Sequence, residues 1–285
     1  MRLLRAGLVA LVGVYLILLL LVFIFQRQFI YFPDQSVPPA AHLAATGFEP
    51  VVVRSGPDGA LQSVWREPRG SDSPVILLLH GNAGSHFHRI PQYQALAEDG
   101  AGVLGVGYPG YGGNRGTPSE TALFQAAQDN YDWLTRKGVR PERIIIIGES
   151  LGSGVAAYLA AKNDAAALVM VAAHSGMAEI AQLQFPVFPA RWLVKDRYQT
   201  TTYIGEIDMP LFWIHGTSDD LIPFTIGQRF FDAATQPKTA YPVKNAGHND
   251  LWDRGIDKIV RDLAARATAK NRTPTAAFRK SDIPG

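Results

Sequence analysis

The chain has 285 residues, 47% of them apolar, and a formal net charge of +2 at pH 7. This length suits one large domain with an appendage, and the apolar share is ample for a core. The small net charge argues against nucleic acid as a partner. Because the sequence contains no Cys, disulfides, thiolate metal sites and a Cys nucleophile are excluded.

The N-terminal segment contains an uncharged apolar run, residues 7–25, that is long enough to cross a bilayer as one helix. We therefore predict a cytoplasmic stub and an uncleaved transmembrane signal anchor over residues 1–28, with the lipid bilayer as a partner. A cleaved secretory signal is the alternative, although no small-x-small cleavage site follows the run directly. Arg2 and Arg5 precede the run and only Arg27 follows it closely. The positive-inside rule then predicts a single-pass membrane protein with a cytoplasmic N-terminus and an extracytoplasmic domain, periplasmic if the cell is bacterial.

Residues 29–47 are rich in Pro and Ala and are predicted to be a linker. Residues 48–268 alternate strand-like apolar runs with helical patterns, which predicts an α/β domain with a mostly parallel twisted sheet and helices on both faces. The predicted strands begin with a hairpin and lie at residues 51–53, 61–66, 75–79, 103–106, 144–147, 167–172, 211–214 and 239–243. The predicted helices run to about residues 99, 136, 162, 234 and 265. Residues 269–285 are predicted to be a flexible tail.

A longer insert, residues 173–210, separates two of the predicted strands. It is too long for a simple loop and too short for a domain, and its aromatic residues make it apolar. It is either a small cap over a site or the expected crossover helix, and both interpretations stay open. We predict that Phe185 and Trp192 in this insert, together with Tyr108, bind substrate.

The segment around Ser150 carries the most specific chemical signal. Residues 144–147 are isoleucines, typical of a buried strand, and Gly148-Glu149-Ser150-Leu151-Gly152 follows, ahead of a run of small residues. A strand, a Gly-x-Ser-x-Gly turn and a helix together predict a nucleophile elbow that exposes the Ser hydroxyl. The turn leaves no room for a Cβ at either Gly, and the helix directs its positive end at the hydroxyl. Ser150 is therefore the candidate nucleophile, whereas an isolated match of this pattern is often only a turn.

A Ser hydroxyl needs a base, usually a His that is oriented by a carboxylate. Two later loops can supply them, because each follows a predicted strand: residues 215–223 contain Asp219 and Asp220, and residues 244–250 contain His248. The carboxyl ends of parallel strands share one edge of a sheet, where sites in open α/β sheets form. The candidate base is His248, and the candidate acid is Asp219 or Asp220.

An oxyanion formed at Ser150 would need two N–H donors. The residue after the nucleophile, Leu151, supplies the first, and the loop after an earlier strand supplies the second. We nominate the backbone N–H of Asn82 in this loop. The Asn82 side chain either assists it or only fixes the turn.

Other polar residues have simpler interpretations. His80, His86 and His88 raise the question of a metal site, but no carboxylate or fourth ligand is spaced to join them. The Gly-rich residues 107–112 do not open directly into a helix, so they are not a dinucleotide fingerprint. We therefore predict neither a metal nor a cofactor site. Glu149 either has a positional role or binds a basic group of the substrate.

Five motifs, in their order along the chain, resemble those of the α/β-hydrolase superfamily, and more narrowly its small membrane-anchored α/β-hydrolase-domain serine hydrolases. The motifs are His80-Gly81-Asn82-Ala83-Gly84, Tyr108-Pro109-Gly110-Tyr111-Gly112, Gly148-Glu149-Ser150-Leu151-Gly152, His215-Gly216-x-x-Asp219 and Gly247-His248. In such proteins the acid is the Asp of a Gly-x-x-Asp-x-x-Val/Ile-Pro pattern, here Asp219. The resemblance, over roughly residues 48–265 and the anchor, implies an α/β-hydrolase fold with a small cap or none. It also implies the triad Ser150, Asp219 and His248, and acyl transfer to water without a cofactor.

These observations predict a serine hydrolase that cleaves carboxylic ester or thioester bonds through an acyl-enzyme. Its partner would be a small-molecule or lipid acyl substrate, and the apolar insert and the membrane tether favour an apolar acyl group. The alternatives are a serine peptidase or amidase of the same fold, and a non-catalytic scaffold tethered to the membrane.

Overall fold

The N-terminal apolar run forms one 29-residue helix, α1 (Arg2–Ile30), in the computed structural model, which describes residues 1–56 and 59–270. Of the helices in the described residues, α1 alone is long and apolar enough to cross a membrane. Its apolar stretch is not buried inside the protein. It is therefore not the core helix of a soluble domain.

Strands and helices alternate along the rest of the described chain. The strands are β1 (Phe32–Pro33), β2 (Glu49–Gly56), β3 (Gly59–Arg66), β4 (Val75–Leu79), β5 (Ala83–Gly84), β6 (Gly102–Gly105), β7 (Ile144–Glu149), β8 (Ala167–Val171), β9 (Leu211–Gly216) and β10 (Lys238–Val243). The helices after α1 are α2 (Ala40–Ala45), α3 (Ile90–Leu96), α4 (Glu120–Arg136), α5 (Leu151–Ala160), α6 (Met177–Gln184), α7 (Ala190–Leu193), α8 (Thr200–Ile204), α9 (Phe224–Ala233) and α10 (Ile256–Lys270).

Within the described residues, the main sheet has eight strands in the order β10-β9-β8-β7-β4-β6-β3-β2. Neighbours from β10 to β6 pair in parallel, whereas β3 pairs antiparallel with both β6 and β2. Parallel neighbours need a crossover connection, which the helices between them supply. The predicted mostly parallel sheet with helices is confirmed.

The central strands are buried because helices cover both faces of the sheet. Successive residues of a strand point to opposite faces. Accordingly, Ile144 and Ile146 of β7 pack in one apolar cluster with α4 and α5, and Ile145 and Ile147 pack in another with α3 and α10. An unbroken apolar run is the pattern expected of such a strand. This packing fixes the carboxyl end of β7, where the elbow begins.

Residues 29–47, predicted to be a linker, are instead folded against the domain. Helix α1 continues to Ile30, β1 pairs in parallel with β5, and α2 buries Leu43. Strands β1 and β5 are far apart in the sequence, and each is only two residues long. A strand of two residues has no periodic pattern by which the sequence could predict it. The end of α1 is therefore tied to the loop that follows β4.

The insert at residues 173–210 contains both of the structures considered for it. Helices α6 and α7 pack against each other and, with the residues between them, form a small cap. Helix α8 packs against α5 and belongs to the layer on the sheet. We use the word cap below for residues 177–194.

The C-terminal helix differs from the prediction at its start. It begins at Ile256 because a 3₁₀ turn, Trp252–Arg254, precedes it, and Gly255 adopts a left-handed φ of 78° between the two. Helix α10 continues to Lys270, so the first residues of the predicted tail are helical. Residues 271–285 of that tail lie outside the described residues.

Candidate functional site

Ser150 occupies the turn between β7 and α5, with φ 52° and ψ −120°. A non-Gly residue at such a φ carries backbone strain on the order of 1–3 kcal/mol. A Cβ on Gly148 would lie 2.5 Å from Ala156 Cβ, and one on Gly152 would lie 2.1 Å from the Leu79 carbonyl oxygen. The close packing that these glycines allow holds the turn and presents the Ser150 hydroxyl at the carboxyl edge of the sheet.

Side chains from three separate loops form a continuous hydrogen-bonded chain. His248 Nε2 lies 2.9 Å from Ser150 Oγ, and His248 Nδ1 lies 2.8 Å from Asp219 Oδ2. An ionised Asp219 can only accept, so it keeps the proton on Nδ1 and leaves Nε2 to accept from the Ser150 hydroxyl. This arrangement can take the proton of Ser150 as its oxygen attacks an electrophile.

Backbone groups fix the orientation of the Asp219 carboxylate. Its Oδ1 accepts hydrogen bonds from the N–H groups of Leu221, at 3.0 Å, and Ile222, at 2.8 Å. Its Oδ2 is left to face His248, and the side chain is buried. Asp220, the alternative acid in the sequence, is exposed. Of the two carboxylates, Asp219 is thus the one that bonds to His248.

The predicted oxyanion donors lie beside Ser150. Leu151 is the first residue of α5, whose first N–H groups have no acceptor within the helix. The loop that contains Asn82 is also close, since a Cβ on Gly81 would lie 3.4 Å from Ser150 Cβ. The Asn82 side chain is used elsewhere, because its Nδ2 donates to the Ile30 carbonyl at the end of α1, at 2.8 Å. It fixes the loop and leaves the backbone N–H of Asn82 as the candidate donor.

Ser150 and His248 line a cavity of about 520 Å³. This volume is within the usual range for sites that bind small molecules. The lining comes from the loops after the strands, from the cap and from α1. The cap contributes Met177, Ile180, Ala181, Gln184, Phe185, Phe188, Ala190, Leu193 and Val194.

The predicted substrate-binding residues are only partly found at this cavity. Phe185 lines it, and its role in substrate binding stays a prediction. Tyr108 does not, because it is fully buried with its ring centroid 4.4 Å from that of His80 and its hydroxyl donating to the His80 carbonyl, at 3.4 Å. Trp192 is 74% exposed and lies outside the lining. We correct both assignments: Tyr108 braces the loop after β4, and Trp192 faces outward from α7.

The cavity wall also has contributors that the sequence analysis missed. Helix α1 is one, and its almost uniform apolar character conceals which face lines a site. In the sequence, the only local sign of this role is Gln26, a polar residue just after the apolar run, which is buried in the structure.

An ion pair is a second part of the cavity wall that the sequence did not predict. Its Arg89 Nε lies 3.6 Å from Glu149 Oε2. Glu149 is therefore engaged by a basic residue of the chain itself.

Buried histidines around the site are held neutral. Burial, with a smaller contribution from nearby His248, lowers the pKa of His174 on the cavity wall to about 4. Burial also lowers the pKa of His86 to about 3, and it lowers the pKa values of His80 and His215. None of these side chains is charged at neutral pH, so none opposes the formation of an imidazolium at His248.

In the described parts of the chain, no group of three or more His, Cys, Asp or Glu residues could hold a metal ion.

Known proteins resemble the chain in sequence. A family model described as alpha/beta hydrolase fold matches residues 74–193. An uncharacterized protein of Mycobacterium tuberculosis is 38% identical over 228 residues, which are 79% of this chain and 81% of that protein. Alpha/beta hydrolase domain-containing protein 17B of Xenopus laevis is 32% identical over 196 residues, 67% of this chain and 66% of that protein. Lysophosphatidylserine lipase ABHD12 of Danio rerio is 28% identical over 207 residues, 62% of this chain and 54% of that protein.

Solved structures resemble the chain in fold. An alpha-beta hydrolase from Vibrio vulnificus superposes with a TM-score of 0.67 at 20% identity, covering 81% of this chain and 87% of the other. The Pyrococcus furiosus esterase Pf2001 superposes with a TM-score of 0.58 at 19% identity, covering 85% of this chain and 98% of the other. At such low identities, the likeness concerns the fold alone.

The neutral state of His86 predicts an acid sensitivity of the folded protein. Its pKa is about 3 in the folded chain and about 6.5 in an unfolded one. Between these values the unfolded chain binds a proton that the folded chain does not, so the free energy of unfolding falls as the pH falls. At about pH 4.5 this loss amounts to about 3 kcal/mol. We expect His86→Gln to remove it.

Urea unfolding at about pH 7.5 and about pH 4.5 measures this effect. The exposed His42 provides the control. Wild type and His42→Gln should each lose about 3 kcal/mol more on acidification than His86→Gln does. Equal losses in all three proteins would contradict a buried and neutral His86.

Proposed function

The chain belongs to the α/β-hydrolase superfamily, and from this premise we propose that it is a serine hydrolase that cleaves carboxylic ester or thioester bonds of apolar acyl substrates. The observation that carries the proposal is the hydrogen-bonded chain from Asp219 through His248 to Ser150 on the wall of one cavity. A relative that is named a lysophosphatidylserine lipase supports an ester as the bond cleaved.

In the acylation step, Ser150 Oγ attacks the carbonyl carbon of the substrate while His248 Nε2 takes the hydroxyl proton. Asp219 stabilises the imidazolium and keeps the ring in its orientation. The N–H groups of Leu151 and Asn82 would bind the oxyanion of the tetrahedral intermediate. Removing one such donor costs on the order of 3 kcal/mol in the activation free energy.

Acylation ends when the tetrahedral intermediate collapses, the bond to the leaving group breaks, and His248 gives its proton to the departing alcohol or thiol. In the deacylation step, the same residues act on water. A water molecule that loses its proton to His248 then attacks the acyl carbon on Ser150. The carboxylic acid leaves and the free Ser150 hydroxyl is restored, so the reaction needs no redox partner.

The lining and the turn favour this function over its alternatives. The cap presents Met177, Ile180 and Phe185 to the cavity, a surface that suits an apolar acyl group better than a peptide backbone. A scaffold without activity would have no use for a Ser held in a strained turn within hydrogen-bond distance of a His. A peptidase or amidase differs in its leaving group, and activity on short aryl esters separates it from an esterase.

Helix α1 is best explained as an uncleaved membrane anchor with a cytoplasmic N-terminus. Arg2 and Arg5 lie at its N-terminal end, on the side that the positive-inside rule assigns to the cytoplasm. Residues of α1 line the cavity, so cleavage after this helix would remove a wall of the site. This argues for an anchor that stays with the mature enzyme.

The catalytic assignment predicts the behaviour of matched variants. A fluorophosphonate probe should label the full-length protein in detergent micelles, and Ser150→Ala and His248→Gln should abolish the labelling. Asp219→Asn should lower kcat on a short aryl ester by roughly 10⁴-fold, because the imidazole would lose its correct tautomer. The neighbouring Asp220→Asn, at an exposed position, should keep wild-type activity. A folded wild type without labelling, or equal losses from both Asp variants, would contradict the assignment.

The orientation of α1 predicts where the domain lies. Alkaline phosphatase is active only outside the cytoplasm, so its fusion to the C-terminus of the full-length chain should be active in intact bacterial cells. A matching fusion to green fluorescent protein, which needs the cytoplasm to fold, should stay dark. A bright fluorescent fusion and an inactive phosphatase fusion, both present at full length, would reverse the proposed orientation.

A further inference from the structure

One face of α1 forms a wall of the cavity that contains Ser150 and His248. The lining residues of α1 recur at intervals of three and four and are Leu19, Val22, Phe23, Gln26, Phe29 and Ile30. This spacing places them on one side of the helix. From Leu19 to Ile30 the helix advances eleven steps of about 1.5 Å, or about 16 Å. The wall is therefore much longer than the reacting end of an ester.

The cap supplies the facing wall. Its lining residues recur at helical spacing along α6 and continue through Phe188 to Val194. Phe29 of α1 and Phe185 of the cap meet with their ring centroids 5.5 Å apart. The two helices thus bound an apolar groove that is continuous with the cavity at Ser150, and we name it the α1–α6 groove.

Polar contacts hold α1 against the end of the cap, so the groove is built into the fold. Lys195 N donates to Gln26 Oε1 at 2.7 Å, and Arg27 makes two hydrogen bonds to Asp196, at 2.9 and 3.2 Å. The Tyr31 hydroxyl donates to the same carboxylate at 3.0 Å. Such a bidentate pair between Arg and a carboxylate fixes geometry as well as adding energy. Helix α1 cannot turn its lining face away without breaking these bonds.

The cap also reaches the part of α1 that would lie in the bilayer. Tyr15, within the apolar run, donates to the Val187 carbonyl at 3.1 Å and stacks on Phe188, with ring centroids 5.6 Å apart. Val187 and Trp192 expose apolar side chains on the cap. Exposed apolar surface beside a membrane helix suits contact with lipid. An acyl chain can then move from the bilayer into the groove without crossing water.

Resting on the proposed hydrolase activity, we propose that the α1–α6 groove is the acyl-binding site and that the substrate is a long-chain ester of a bilayer lipid. The occupant must carry both a scissile carbonyl for Ser150 and a long apolar chain for the groove. The chain lies along the α1 face from Leu19 to Ile30. Ser150 Oγ bonds to the acyl carbon as the ester C–O bond breaks, the alcohol leaves with the proton from His248, and water then releases the fatty acid.

Chain length is the property that this groove selects. Each methylene group that leaves water for an apolar site strengthens binding by about fourfold. For monomeric esters in solution, kcat/KM should therefore rise with chain length until the groove is filled. A butyrate ester reaches only the end of the groove at Ser150 and gains little from α1.

Two substitutions on α1 test the groove against a matched control. Val22 lines the cavity, whereas Ile24, two residues later, is 55% exposed and does not line it. Val22→Trp and Ile24→Trp make the same kind of change on different faces of one helix. The full-length proteins, in lipid nanodiscs, are assayed on p-nitrophenyl butyrate and p-nitrophenyl myristate and labelled with a fluorophosphonate. Two further substrates distinguish the possible sources of the acyl chain. One is a long-chain monoacylglycerol in phosphatidylcholine vesicles, which is a bilayer lipid, and the other is an S-palmitoyl peptide.

We expect Val22→Trp to lower the ratio of kcat/KM for the myristate ester to kcat/KM for the butyrate ester by at least about tenfold, the worth of roughly two buried methylenes. Ile24→Trp should retain both activities. An active wild type whose preference for long chains survives Val22→Trp, or is lost equally in Ile24→Trp, overturns the acyl site alone. Turnover of the peptide without the monoacylglycerol overturns the lipid as its source. A folded wild type that neither labels nor cleaves butyrate refutes the hydrolase proposal, and the acyl site with it.

Discussion

The strained turn at Ser150 is the constraint on which the rest of the site depends. A φ of 52° is unfavourable for Ser, and the packing of Gly152 against the Leu79 carbonyl holds the residue there. The turn exists because β7 and β4 are adjacent parallel strands whose carboxyl ends finish at the same edge of the sheet. The same topology brings the loops after β9 and β10 to that edge, and with them Asp219 and His248.

Asn82 joins this turn to the N-terminal helix. Its side chain donates to the Ile30 carbonyl, and its own carbonyl accepts from Phe32 N at 2.9 Å and from the Tyr111 hydroxyl at 2.8 Å. The loop that supplies a candidate oxyanion donor is therefore bonded to the end of α1 on one side and packed near Ser150 on the other. Hydrogen bonds therefore connect helix α1 to the loop that packs beside Ser150, so a displacement of the helix would shift this loop.

Local patterns made much of this structure predictable. The isoleucine run of β7 and the elbow after it are short-range signals, and Asp219 and His248 each follow a strand at the edge where sites form. The wall formed by α1 has only the weak signal of Gln26, because a helix whose residues 7–25 are all uncharged and almost all apolar does not reveal which face lines a cavity. The prediction that Tyr108 and Trp192 bind substrate was wrong. Aromatic character alone predicts neither the burial of Tyr108 against a loop nor the exposure of Trp192 on a short helix.

The central claim is that the proposed nucleophile Ser150 and helix α1 share one substrate site, and photo-crosslinking tests it most directly. A long-chain fluorophosphonate with a diazirine at the end of its chain would first react with the full-length protein in nanodiscs and then be irradiated. Peptide mapping by mass spectrometry should find the phosphonate on Ser150 and the crosslink on α1, between Leu19 and Ile30, or on the facing residues of α6. An adduct on another residue, or a chain on Ser150 that crosslinks only outside α1 and α6, would contradict the account.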